Sequence, residues 1–131
     1  MIVDSSALIA ILRAEADAAA YTEAIERAEA CRISAATLLE TAIVVDGSRD
    51  PILSRRLDDL LIEAAIGIEP FTEPQANIAR QAYRDYGRGS GHPARLYFGD
   101  CFAYALARTT GEPLLFKGED FRHTDIVPAL E

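Results

Sequence analysis

The rhythm of the apolar residues restricts this chain more than any other feature. Short apolar runs at residues 2–4, 31–34, 65–69 and 113–116 are held apart by segments with helical spacing. Strand-length runs separated by helices favour βαβ crossovers and a small parallel sheet over a meander of hairpins. "YTEAIERA" puts Tyr21, Ala24, Ile25 and Ala28 on one helical face, and "LSRRLDDLLIEA" does the same with Leu53, Leu57, Leu60, Leu61 and Ala64. The second of these helices starts with Asp50 as N-cap and Pro51 at its first position, where a missing N–H costs nothing. A third helix, in "TEPQANIARQAYRDYG", has Thr72 and Gln75 at capping-box spacing, repeats Ala76, Ala79, Ala82, Tyr83 and Tyr86, and closes at Gly87. The fold class is α/β. A length of 131 residues predicts a single domain over 1–131.

Other classes are set aside quickly. No apolar run approaches the roughly 20 residues that span a bilayer, and no signal-peptide pattern opens the chain, so the expectation is a cytoplasmic protein with no membrane association. Cys31 and Cys101 are too few for a disulfide scaffold and read as free, buried thiols. The net charge of -8 opposes non-specific attraction to nucleic acid, so a polyanionic substrate would need metal ions or local basic patches. Only "YGRGSGHPARLYFG" lacks periodicity, and it reads as an exposed loop of the kind that carries function.

Ligands of open α/β sheets bind beyond the carboxyl ends of the strands, which makes an acid terminating the first strand a site candidate. That acid is Asp4. Glu40 lies in "SAATLLETA" among Leu38, Leu39, Ala42 and Ile43, where burial demands a compensating cation or hydrogen bond. Asp100 opens a strongly apolar helix in "YFGDCFAYALA", where the helix N-terminus favours negative charge. Each has a plainer reading: Asp4 as the cap of a helix begun by Ser5, Glu40 as an exposed helical position, Asp100 as an ordinary first-turn acid. Together they are harder to dismiss, because three carboxylates converging in a crevice raise one another's pKa unless a divalent ion neutralises them. Oxygen ligands without paired Cys or His point to Mg²⁺ or Mn²⁺.

"VDSSAL" at the start, "LLETA" around Glu40, "YFGDCFAYALA" around Asp100 and "PLLFKGEDFRHTDI" near the end resemble, together and in order, the PIN-domain ribonucleases, most closely the VapC toxins of bacterial toxin–antitoxin pairs. The resemblance implies a three-layer α/β/α domain with a small parallel sheet, acids that bind Mg²⁺ or Mn²⁺, and hydrolysis of RNA phosphodiester bonds. It also implies a homodimer silenced by a VapB-type antitoxin. On this resemblance the family's first metal-binding aspartate falls on Asp4, its glutamate on Glu40 and its second metal-binding aspartate on Asp100. Ser6 matches the hydroxyl that orients a carboxylate or a water from outside the ligand set. For the fourth acid, many relatives carry an aspartate or asparagine where this chain has Lys117 and Gly118. Glu119, Asp120 and Asp125 compete for the role, and Asp120 is preferred because its neighbour Phe121 anchors the turn.

Ions held by Asp4, Asp100 and Glu40 would bind the scissile phosphate and acidify an attacking water, and would locally reverse the field an acidic chain presents to RNA. Arg84, Arg88, Arg95 and Lys117 are candidates for phosphate contacts, with Tyr86, Tyr97 or His92 to stack on an unpaired base, although a solvated helix end and loop explain the arginines equally well. Neither His92 nor His123 has ligand spacing, and Cys101 sits beside an acid in an apolar helix, which blunts a thiol. A haloacid-dehalogenase-type phosphatase would need a second aspartate two positions after Asp4, where Ser6 stands. A module that binds RNA or antitoxin without cutting is the non-enzymatic alternative.

Overall fold

A computed structural model describes residues 1–131. Strands β1 (Ile2–Val3), β2 (Arg32–Ser34), β3 (Gly67–Glu69) and β4 (Leu114–Leu115) form one sheet in the order β3-β2-β1-β4, with every neighbouring pair parallel. The helices are α1 (Ser5–Leu12), α2 (Ala18–Arg27), α3 (Ala35–Gly47), α4 (Pro51–Glu63), α5 (Glu73–Tyr86) and α6 (Asp100–Thr110), and a 3₁₀ turn spans Asp120–His123.

Successive strand residues point to opposite faces, and this alternation makes the layers. Ile2 and Leu114 pack with Ala82 of α5 and with Ala103 and Leu106 of α6. Val3, Ile33 and Leu115 face the other way, onto Ala7 and Leu8 of α1 and Tyr21 and Ile25 of α2. Leu12, Val45 and Leu57 tie α1, α3 and α4 together on that same side. The result is an α/β/α sandwich. The first two crossovers carry the chain outward from β1 to β3. The third, through α5 and α6, returns it to the far side of β1 as β4. Strand order therefore reverses beside β1, the position at which such sheets open a crevice at the carboxyl ends of their strands.

Each apolar run contains a strand shorter than itself. Asp4 lies just beyond β1, and Ala65 takes a left-handed φ of 50° that turns the chain out of α4 before β3 begins. Asp50 caps α4 as its sequence predicts, accepting from the N–H groups of Ile52 and Leu53 at 3.0 and 3.4 Å. Thr72 caps α5 through Gln75 N–H, but the return half of the capping box is missing because the Gln75 side chain donates to the Pro70 carbonyl instead. The α5 stripe is also narrower than its spacing predicts: Ala79 and Ala82 are buried, whereas Ala76 and Tyr83 are exposed. The aperiodic loop is anchored rather than free, since Ala94 and Leu96 are fully buried and Leu96 bridges Gly87. Cys31 and Cys101 are both free and buried. No helix is long and apolar enough to cross a membrane.

Leu8 is fully buried between α1 and the sheet. Leu8→Ala should lower stability by about 3 kcal/mol, read as a lower urea midpoint with the slope unchanged. Ile62→Ala, at a side chain 77% exposed, should stay within about 0.5 kcal/mol of the parent.

Candidate functional site

The residue after β1 serves two purposes at once. Asp4 has extended backbone and caps α1, with Oδ2 accepting from Ser6 N–H at 3.1 Å and from Ser6 Oγ–H at 2.6 Å. Its other oxygen, Oδ1, is buried and has no hydrogen-bond partner. A buried acceptor of that kind is costly unless something outside the protein satisfies it. Burial raises the Asp4 pKa to about 6, against the pull of the Ser6 hydrogen bonds, and the Glu40 charge pushes in the same direction as burial. The cap reading and the site reading thus hold together, because each uses a different oxygen.

Ser6 extends the arrangement to the neighbouring strand. Its single hydroxyl proton goes to Asp4, and its oxygen accepts from Lys117 N–H at 2.9 Å, just beyond β4. Glu40 reaches in from the middle of α3, half-buried. Its Oε1 accepts from Ser5 Oγ–H at 3.1 Å and its Oε2 from the Tyr97 hydroxyl at 2.6 Å. Asp100, the first residue of α6, is buried and turns its Oδ2 back to Tyr97 N–H at 3.1 Å. Burial, followed by the Asp4 charge, drives its pKa up to about 8, and Asp120 and Glu40 add to the push. None of these four acids makes a salt bridge. No three carboxylate, imidazole or thiol groups are gathered tightly enough to share one ion as they stand.

Of the three acids competing for the fourth position, Asp120 is exposed at the start of the 3₁₀ turn and is the one whose charge is felt at Asp100. Asp125 faces elsewhere, accepting from the Tyr104 hydroxyl at 2.7 Å and pairing with Arg108 at 3.3 Å. Glu119 lies out in solvent near Arg122.

The basic residues are less well gathered than their sequence proximity predicts. Lys117 Nζ is taken up by Glu15 at 2.8 Å and Asp17 at 3.2 Å, so it is not a free point charge for phosphate. Arg88 lies over the Tyr97 ring, 5.4 Å from its centroid, beside the Glu40 contact. Arg84 rims an apolar groove of about 370 Å³ floored by Ala79 and Phe102, and Arg95 occupies an exposed left-handed turn with φ 50°. Neither contacts the acids. Tyr86 and His92 are not available for stacking, because they pack edge to face on each other and His92 Nδ1 accepts from Ala94 N–H. The exposed aromatic ring near the site is Phe98, which no periodicity singles out. The roles of Ser5, Tyr97 and Gly99 are not legible in the sequence, which offers Tyr97 only as a ring to stack on a base, and only the glycine directly before a helix-opening acid gives a hint. Cys101 is no nucleophile: burial and Asp100 push its thiol up to about 11.

The donor set suits a divalent cation. It offers carboxylate oxygens only, one of them buried and unpaired, two acids with raised pKa values, and no basic side chain paired with them.

A family model for the PIN domain matches residues 1–127. The chain is 60% identical over 131 residues to the ribonuclease VapC28 of Mycobacterium tuberculosis, covering 100% of this chain and 98% of that protein. It is 52% identical over 129 residues to the ribonuclease VapC42 of the same species, covering 98% of each. Among solved structures it superposes on Mycobacterium tuberculosis VapC20, described as a sarcin–ricin loop cleaving toxin, with a TM-score of 0.72 at 20% identity over 96% of this chain and 95% of that one. A chain of a toxin–antitoxin complex from Klebsiella pneumoniae gives 0.71 at 17% identity, covering 99% and 98%. At those identities the two structures speak for the fold alone.

An acid with a higher pKa folded than unfolded keeps its proton in the folded state between the two values. Its contribution to stability is complete below the unfolded pKa and is lost as pH rises through the folded one. For Asp4 and Asp100 that window runs from about 4 to about 8. Metal-free protein should therefore melt progressively lower across it. Asp100→Asn, which removes the more strongly shifted group, should melt above the parent at pH 8 by roughly 4 °C and converge with it toward pH 4. Differential scanning calorimetry over this range checks the expectation, and a gap that does not change with pH would mean that Asp100 does not titrate there.

Proposed function

Because the chain belongs to the PIN-domain family and aligns along its whole length with VapC ribonucleases, we propose that it is a metal-dependent endoribonuclease acting as the toxin of a type II toxin–antitoxin pair. The observation that carries this reading is the buried Oδ1 of Asp4, left without a hydrogen-bond partner on an acid that makes no salt bridge and whose charge is felt at Asp100. Asp4, Asp100 and Glu40 would hold Mg²⁺ or Mn²⁺, with Asp120 at the mouth as the fourth acid. Such an ion supplies Lewis acidity toward the scissile phosphate and toward the attacking water.

The chain's own residues hold that set in place. Ser6 fixes Asp4 by one oxygen and leaves the other unpaired. Tyr97 N–H orients Asp100, and the hydroxyls of Ser5 and Tyr97 orient Glu40. No side chain is positioned as a covalent nucleophile, so attack falls to water. Arg88 at the lip is the best placed of the arginines to meet a substrate phosphate, while Arg84 and Arg95 would act farther along the RNA backbone. Lys117 would reach phosphate only by leaving Glu15 and Asp17.

Two partnerships follow from the surface. An acidic crevice suits a VapB-type antitoxin segment whose arginine pairs with the carboxylates in place of metal. An apolar face made by Leu39, Ile43 and Val44 of α3 with Phe98 is exposed beside the site, which supports a homodimer. An RNA-cutting toxin acts where RNA is, in the cytoplasm.

Cleavage of RNA with Mg²⁺, with Mn²⁺ and with EDTA tests the central reading; no cleavage under any metal condition would favour a binding module instead. Asp4→Asn and Asp100→Asn should abolish cutting. Asp120→Asn should lose roughly 10- to 100-fold in activity or Mn²⁺ affinity, Glu119→Gln should change little, and Asp125→Asn should act through stability by removing the charge that pairs with Arg108. Activity loss confined to Asp125→Asn would move the fourth acid. The dimer is tested separately: Ile43→Glu should shift sedimentation to the monomer with its melting temperature little changed, since Ile43 is 62% exposed.

A further inference from the structure

Tyr97 holds two of the proposed ligands with two different atoms. Its hydroxyl donates to Glu40 Oε2 at 2.6 Å, and its backbone N–H donates to Asp100 Oδ2 at 3.1 Å. Arg88 lies over the ring, 5.4 Å from its centroid, and restrains its plane. Two residues on, Gly99 has ordinary right-handed backbone, φ -64° and ψ -34°, that any residue could adopt. Its lack of a side chain is needed for space instead. A Cβ there would overlap the Glu40 carboxylate and stand 2.6 Å from the Tyr97 hydroxyl. Glu40 thus lies across a glycine with both oxygens held, one by Ser5 and one by Tyr97. Glu40 lies at the border of the buried face of α3, between the buried Thr37 and Thr41 and the exposed Leu39 and Ile43, so the Ser5 and Tyr97 hydroxyls decide which way its carboxylate turns.

We propose that Tyr97 is the positioning residue of this site: its hydroxyl lays Glu40 across Gly99 while its N–H fixes Asp100, so that one residue sets the spacing between two carboxylates from different helices. The inference rests on the reading of those acids as a divalent-cation centre. It assigns the "YFGD" stretch a purpose beyond supplying Asp100, with Tyr97 and Gly99 acting as a pair, one to attract the Glu40 carboxylate and the other to leave room for it.

The test is a double-mutant cycle of Tyr97→Phe and Glu40→Gln, read by calorimetric titration of Mn²⁺ into metal-free protein. Tyr97→Phe keeps the ring under Arg88 and removes only the hydroxyl, and it should weaken Mn²⁺ binding about 10-fold. Glu40→Gln should weaken it at least as much. The double variant should bind no worse than Glu40→Gln alone, because the hydroxyl acts through the carboxylate. Gly99→Ala meets the ends of two side chains rather than backbone, so it should fold and match Tyr97→Phe in its loss of Mn²⁺. A Tyr97→Phe loss that persists undiminished in the Glu40→Gln background, or no loss in the parent, overturns the positioning role. The same cycle read by melting of the metal-free proteins separates that failure from failure of the metal reading. Non-additive melting temperatures with no Mn²⁺ bound by any of the proteins would sink the cation centre and support the Tyr97–Glu40 restraint, whereas additivity in both measurements would sink the restraint.

Discussion

A carboxylate taken out of water at the end of a central strand must find partners, and Asp4 finds them for only one of its oxygens. The Oδ2 atom is absorbed by the start of α1, where Ser6 supplies both a backbone and a side-chain donor. The Oδ1 atom is left buried and unpaired. Much of the site's construction follows from the need to hold this acid without neutralising it. Because Ser6 is bonded to the backbone just after β4, the carboxylate is fixed relative to both strands of the switch point.

Like-charge repulsion is the second consequence. Asp100 and Asp4 come from distant parts of the sequence, the Asp4 charge adds to the burden on Asp100 and the Glu40 charge to that on Asp4, and neither has a basic counterion. A fold that tolerates this carries a destabilising cluster at neutral pH in the absence of cations, with the compensation supplied by the apolar layers on either side of the sheet. Such concentrations of unfavourable electrostatics are what a functional site that must hold charge requires. The basic residues are correspondingly kept off the acids: Lys117 is occupied by Glu15 and Asp17, and Arg88 is stacked on Tyr97 rather than paired with Glu40. The crevice stays electronegative and open to a cation.

What the sequence determined is local. Strand-length apolar runs, Asp50 and Thr72 as caps, and an acid at the end of the first strand are legible because each depends on residues within one or two turns of itself. The α/β class follows from their alternation, since parallel strands need crossovers. The three acids were legible as candidates for the same reason, as charges in apolar or strand-terminal settings, each with an ordinary structural reading alone and a case for a site only together.

What the tertiary structure decided is everything that depends on which distant groups share a space. Chain spacing does not reveal that Gly99 must be small to admit a side chain from α3, that Tyr97 bonds Glu40 and Asp100 at once, or that Ser5 rather than Ser6 holds Glu40. The same is true of Lys117, whose neighbours in sequence suggest a phosphate contact and whose neighbours in space are Glu15 and Asp17. The competition among Glu119, Asp120 and Asp125 is likewise a question of direction, and the turn that sends Asp125 back to Tyr104 and Arg108 leaves Asp120 as the one whose charge reaches Asp100. Propensities and caps act over a few residues, while hydrogen bonds and Coulomb forces act over a few ångströms. Only the folded chain converts one distance into the other.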